Sequence, residues 1–190
     1  GEDQDSGTID HRVLVIDHRD KAEILTSLVD RAGKTLVFAR TRAYAEMLAE
    51  QFDDAGIHAV ALHGDLNQAK RTRNLERLTS GRVNVLVATD VAARGIHVDD
   101  VGLVLQVDPP RDHKDYLHRS GRTARAGESG AVVTLALPHQ KRMMERLLEQ
   151  AGVDTAPVRV KPGDAHVLAT GGSAPSGQPI PEEQFRPLIE

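Results

Sequence analysis

The feature that most constrains this chain is the alternation of short, continuously apolar runs with amphipathic segments from about Arg12 to Gly152. The apolar runs read as strands at Val13–Ile16, Thr35–Ala39, Ala59–His63, Val83–Thr89, Val101–Asp108 and Ala131–Leu137. A run such as Val85-Leu86-Val87-Ala88 has no polar alternate residue, so a strand there must be covered on both faces. Between the runs, helical spacing is found over Lys21–Ala32, Arg42–Ala55, Gln68–Thr79 and Lys114–Ala124, with a last helix near Gln140–Gln150. Gly33, Gly56, Gly81 and Gly152 close helical patterns, the usual place for a C-terminal glycine. Strands separated by helices pair in parallel, and the pattern implies an open three-layer α/β fold. Composition changes after about Val160, and Gly171–Pro181 is dominated by Gly, Pro, Ser and Ala. The expected division is a linker over 1–10, one domain over 11–155 and a flexible extension over 156–190, with Phe185–Ile189 as a docking segment.

Composition narrows the chemistry. The chain has no cysteine, which excludes disulfides and thiolate zinc sites. His113 and His118 stand five apart, which matches no metal-ligand spacing, and no metal site is expected. No apolar run reaches membrane length and the start is no signal peptide, so the expectation is a cytoplasmic protein with no membrane partner. The first residue is Gly1 rather than Met, which points to a fragment or a tagged chain. The net charge is −4 and the only aromatics are Phe38, Tyr44, Phe52, Tyr116 and Phe185. A base-stacking platform needs more than that, so any nucleic acid would be held through its phosphates, with little sequence preference.

In a parallel sheet all strands end on one edge, where ligands bind. Three expected strand ends carry suitable groups. Arg40-Thr41-Arg42 follows the second strand, with Thr41 as a helix N-cap. His63-Gly64-Asp65 leads into Gln68 and Arg71, and the Asp65/Gln68 spacing has the form of a capping box. Thr89-Asp90-Val91-Ala92-Ala93-Arg94-Gly95 follows the fourth strand. One such end is ordinary capping; three in series suit a row of phosphates.

The segment His118-Arg119-Ser120-Gly121-Arg122-Thr123-Ala124-Arg125-Ala126-Gly127 is the sharpest local signal. As a helix it would set His118, Arg122 and Arg125 on one face, with Arg119 to the side. Converging guanidiniums repel unless an anion joins them, and they suit a phosphoryl group gaining charge in its transition state. Two look-alikes fail. Ala32-Gly33-Lys34-Thr35 resembles the end of a P-loop, but Leu28 stands where the first glycine belongs and the segment opens a strand. Asp108 follows a strand as a magnesium ligand would, but without a P-loop it has no triphosphate to serve.

Together these segments resemble a known family. Leu36–Arg42 resembles helicase motif IV, and Gln68 with Arg71 resembles the QxxR motif. Ala88–Gly95 resembles motif V and His118–Arg125 resembles motif VI. Their order is similar to the second, C-terminal RecA-like domain of bacterial DEAD-box RNA helicases, over roughly residues 10 to 155. The resemblance implies that Arg122 and Arg125 are arginine fingers for ATP and Mg2+ held mainly by the N-terminal RecA-like domain of the same protein. It implies that Gly95 and His97 meet the nucleotide, and that His118 and Arg119 reach the other domain. Arg40, Thr41, Gly64, Gln68, Arg71, Thr89 and Arg94 would line RNA. The family has Asp at the position of His97, and Gly is common at that of Ala124. The implied action is cleft closure around ATP and RNA that separates a short duplex, with this half alone inactive. Two other readings are a DNA translocase of the same superfamily and a non-enzymatic RNA-binding adaptor; Thr89–Gly95 and the Gln68/Arg71 pair favour the RNA helicase.

Overall fold

A computed structural model of the chain describes residues 8–125 and 127–167. Fourteen regular elements alternate along it: β1 (Ile9–Val15), α1 (Lys21–Val29), β2 (Lys34–Phe38), α2 (Arg42–Asp54), β3 (Ala59–Leu62), α3 (Gln68–Thr79), β4 (Val85–Ala88), α4 (Asp90–Arg94), β5 (Val101–Gln106), α5 (His113–Ser120), β6 (Gly130–Ala136), α6 (Lys141–Ala151), β7 (Val158–Arg159) and α7 (Ala165–Val167). The seven strands form one sheet in the order β3-β4-β2-β5-β6-β1-β7, and every pairing is parallel.

The strand sequences explain the layers. β4 is buried at all four residues because side chains leave both faces of a covered strand. Val85 and Val87 join one core with α1 and α2, whereas Leu86 and Ala88 join a second core with α3 to α6. Helix starts are set by short polar caps: Thr41 Oγ1 accepts from the Tyr44 N–H at 3.1 Å, and Asp112 Oδ1 from the Asp115 N–H at 2.9 Å. Gly152 ends α6 at φ +73°, a left-handed turn that side chains with a Cβ resist. No helix among the described residues is long and apolar enough to cross a membrane.

The structure departs from the sequence reading at several places. Asn67, not Asp65, caps α3, accepting from the Lys70 N–H at 2.8 Å; Asp65 lies two residues before the cap position and pairs with Arg42 instead. Helix α5 stops at Ser120 rather than running to Ala124. The expected linker over 1–10 reaches into β1, since Ile9 already pairs with Gly130. The boundary expected at residue 155 falls inside the packed unit: Val158 and Arg159 extend the sheet beside Leu14 and Val15, and Val160 and Val167 are buried in the first core. The Gly171–Pro181 and Phe185–Ile189 segments lie outside the described residues. Lys34-Thr35 opens β2, so the P-loop look-alike is a strand start. Asp108 pairs with Lys21 at 2.5 Å, which occupies the carboxylate that resembled a metal ligand.

Candidate functional site

The C-terminal ends of β3, β4 and β2 are neighbours, which brings the first three motif segments to one edge. Arg40, Thr41, Arg42, Gly64, Thr89 and Val91 line a concavity of about 440 Å3 there. Its threonines are arranged for anions. Thr41 and Thr89 each cap a helix as hydroxyl acceptors, from Tyr44 N–H and, at 3.5 Å, from Ala92 N–H. Among the described residues neither hydroxyl proton has an acceptor, so both can donate to a ligand. Among the described residues, Arg40 is held by one side-chain bond, from Nη2 to the Pro109 carbonyl at 2.6 Å, which leaves its other donors for a ligand. Behind Gly64, His63 is 5% exposed and fixed on both ring nitrogens. Its Nδ1 accepts from Asp65 N–H at 3.2 Å, so Nε2 carries the proton and donates to Glu46 Oε1 at 2.7 Å. A Cβ on Gly64 would meet nothing, so the glycine leaves open space beside its backbone.

Gln68 and Arg71 lie on the first turn of α3, with Gln68 Nε2 donating to Thr72 at 3.3 Å. Arg94 does not join the Arg40–Thr89 concavity. It lines a second one with Phe38, Asp90, His118, Arg119 and Arg122, because α4 is only five residues long and carries its last residue towards α5.

Arg119, expected to reach the other domain, is engaged by partners within this one. It is 3% exposed and bound on three nitrogens within this domain. Nε and Nη2 form a fork on the Asp90 carboxylate at 2.8 and 2.6 Å, and Nη1 donates to Gln106 Oε1 at 2.9 Å. The guanidinium lies 5.1 Å from the Phe38 ring centroid. Gln106 in turn donates to Thr134 at 2.8 Å, which continues the chain of polar contacts across β5 and β6. Burial pushes the Asp90 carboxyl up, but the hydrogen bonds and charge of Arg119, with Arg111 and Arg94, hold it below the ordinary aspartate value. His118 is exposed. Gln106 and Thr134 had no sequence signal beyond being polar residues inside apolar runs.

Arg122 and Arg125 come together by a route that helical periodicity did not foresee. Gly121 ends α5, the Arg122 and Thr123 N–H groups turn back onto Arg119 and Ser120, and Thr123 Oγ1 bonds the Val101 carbonyl. Ala124 then takes φ +56°, a left-handed turn that explains why glycine suits the position. Both arginines line a concavity of about 230 Å3. Arg122 donates to the Ile96 and Ala93 carbonyls, and Arg125 to the Gly121 carbonyl at 3.2 Å. Among the described residues, neither has a carboxylate partner. Burial, then the positive charge of Arg125, pulls the Arg122 guanidinium below its ordinary value; Asp99, Asp100 and Glu128 line the same concavity, though among the described residues none of them pairs with either arginine. Gly130 makes room for this loop: a Cβ there would meet Thr123 Oγ1 at 2.1 Å and Ala124 N at 2.9 Å. His97, expected at the nucleotide, is exposed and bonds Asp99 at 2.7 Å, while Gly95 ends α4 with open space around it.

Comparison with known proteins agrees with this architecture. The model of the helicase conserved C-terminal domain matches residues 20–127. The chain is 43% identical over 139 residues to the DEAD-box ATP-dependent RNA helicase CshA of Bacillus subtilis, covering 72% of this chain and 28% of that protein. It is 44% identical over 129 residues to the ATP-dependent RNA helicase SrmB of Escherichia coli, covering 67% of this chain and 29% of that protein. The chain therefore spans less than a third of these relatives. Among solved structures, E. coli SrmB bound to the regulator of ribonuclease activity A superposes with a TM-score of 0.72 at 35% identity, covering 92% of this chain and 98% of that one. A DEAD box protein of Methanococcus jannaschii gives 0.73 at 28%, covering 81% and 42%. The seven-stranded parallel sheet is thus RecA-like, similar to that of DEAD-box proteins, and the chain belongs to the helicase conserved C-terminal domain family.

Proposed function

We propose that this domain completes an RNA-stimulated ATPase and helicase site whose ATP and Mg2+ are held mainly by an N-terminal RecA-like domain of the same protein. The observation that carries the reading is the pair Arg122 and Arg125: two guanidiniums lining one concavity and, among the described residues, without a carboxylate partner, unlike the neutralised Arg119. Such a pair favours an anion brought against it. In hydrolysis a water oxygen bonds to the terminal phosphorus, the bond to the bridging oxygen breaks, and charge builds there and on the transferred group. Planar donors preset at that position lower the barrier. Arg119 is a positioning residue, holding the start of the motif by its fork to Asp90, and His118 is the exposed group that meets the other domain. Gly95 and His97 flank the nucleotide.

RNA lies over the ends of β3, β4 and β2. Thr41 and Thr89 hydroxyls, Arg40 and the backbone at Gly64 bind its phosphates, and Gln68 and Arg71 continue the track onto α3. Arg94, on the other side of α4, connects the track to the arginine pair. Closure of the two domains would bend the strand and open a short duplex; hydrolysis would release it. The relatives' names, which are those of RNA helicases, favour this over a DNA translocase.

The test uses the chain joined to its N-terminal domain. Arg122→Ala and Arg125→Ala each lower kcat by about 10²–10³-fold with little change in the RNA concentration for half-stimulation, and Arg122→Lys rescues poorly because an ammonium lacks the planar fork. Normal turnover of Arg122→Ala under saturating RNA would sink the assignment.

A further inference from the structure

The turn after β3 presents its amides selectively. In His63-Gly64-Asp65-Leu66 the Leu66 N–H closes on the His63 carbonyl at 3.3 Å, and the Asp65 N–H donates to the His63 ring at Nδ1, at 3.2 Å. Among the described residues the Gly64 N–H has no partner. His63 thus takes up two of the three amides that follow it. The amide it leaves belongs to the residue that lines the concavity with Arg40 and Thr89.

The turn itself does not demand a glycine. Gly64 does not take a left-handed φ, and a Cβ there would meet nothing within 4 Å. Another residue would fit the fold and would lose less backbone entropy on folding. What a side chain would obstruct is the close approach of a ligand to the backbone. The acids nearby are tied up as well. Glu46 and Asp65 share a neighbouring concavity of about 390 Å3 with Thr41, Arg42 and His63, and free carboxylates there would repel a phosphate. The His63 Nε2–H holds Glu46 at 2.7 Å, and Arg42 Nη1 holds Asp65 at 2.5 Å. A buried ring that served stability alone would account for neither the open glycine nor the amide left beside it.

We propose that His63 is a positioning residue for RNA. Its ring draws the Asp65 amide in, so that the Gly64 N–H is the amide of the turn presented to a phosphate, and its other nitrogen engages the Glu46 carboxylate beside that phosphate. A donor fixed in advance binds without the cost of ordering the loop. The inference rests on the RNA reading of the Arg40–Thr89 concavity.

The test separates the two ring nitrogens. In His63→Asn the amide oxygen falls near the place of Nδ1 and accepts from the N–H two residues on. In His63→Gln the side chain reaches Glu46 and leaves the Asp65 N–H unbound. Single-stranded RNA is titrated onto the full 190-residue chain at about 50 and 200 mM salt, with thermal melting to check each fold. His63→Asn should bind within about twofold of the native chain. His63→Gln should lose about threefold to tenfold, the worth of one hydrogen bond, with an unchanged salt slope because no cation is removed. Equal losses for the two variants, or native affinity in His63→Gln, overturn the proposal. Amide exchange on the native chain reads the same turn without a substitution. Asp65 should be protected with and without RNA, and Gly64 only with RNA; a Gly64 amide that stays open in the RNA complex overturns the proposal even where a variant fails to fold. Arg40→Ala tests the underlying reading, and should weaken RNA binding and lower the salt slope by about one unit. If it changes neither, the track reading fails and the proposal with it. If it changes both while His63→Gln binds like the native chain, the track stands without its positioning residue.

Discussion

At the scale of single residues, the functional loop depends on charges paired inside the domain. Arg119 is almost wholly buried and, among the described residues, its only carboxylate is Asp90. Removing one member of a buried pair leaves the other charge without compensation. Asp90→Ala is therefore expected to cost roughly 2–4 kcal/mol, below the range for a fully enclosed pair because Asp90 is 31% exposed. Denaturant melts measure it, and an unchanged midpoint contradicts the pairing. The same pair gives a sign to acid sensitivity. The folded-state pKa of Asp90 lies below its unfolded value, so its contribution is complete above about pH 4 and is lost as pH falls further, through the folded pKa. Asp90→Ala should flatten the decline in stability below pH 4. Gly130 is the other sensitive residue. Gly130→Ala puts a methyl group into Thr123 and the Ala124 backbone, so it should cost about 1–3 kcal/mol and lower kcat by displacing Arg122 and Arg125.

At the scale of elements, short helices that carry function depend on their caps. Helix α5 has eight residues, and Asp112 receives the Asp115 N–H at its start. Asp112→Ala should destabilise by about 1 kcal/mol, and Asp112→Asn should restore most of the loss, because an amide oxygen still accepts. Equal losses for the two variants would show that the cap bond is not the cause. Helix α4 shows how an element distributes roles. Its cap, Thr89, faces the Arg40 concavity, and its last residue, Arg94, faces the Arg122 side. Five residues thus connect two concavities.

At the scale of the whole molecule, β7 and the chain after it finish the sheet. Ending the chain at residue 155 uncovers the edge of β1 and removes Val160 and Val167 from the first core. Each buried valine contributes about 1.5–3 kcal/mol, so the shortened domain should melt many degrees lower than one ending at residue 167. Matching melting temperatures would restore the boundary at 155. The domain alone should release no phosphate from ATP, even with saturating RNA, because it holds the arginine pair without a P-loop. Steady-state turnover by the pure 190-residue chain would overturn the half-site reading.

Some of this was legible in the residues by themselves. Doubly covered strands show as unbroken apolar runs, because a parallel sheet has no solvent face, and so the layer order and the motif-bearing strand ends followed from the linear pattern. Thr41 was identifiable as a cap because its hydroxyl has one local use. Other features depended on long-range contacts. Helical periodicity carried α5 through to Ala124, but the Val101 carbonyl, distant in the chain, holds Thr123 in a turn for which Gly130 leaves room. Arg119 reads like its neighbours Arg122 and Arg125 in sequence, and only the arrival of Asp90 and Gln106 from other elements turns it into a buried strut. β7 has two residues, too few for any periodicity, and exists because β1 offers it an edge. Local chemistry specifies elements and caps; which charges are neutralised and which stay free is decided by residues that meet only when the sheet is assembled.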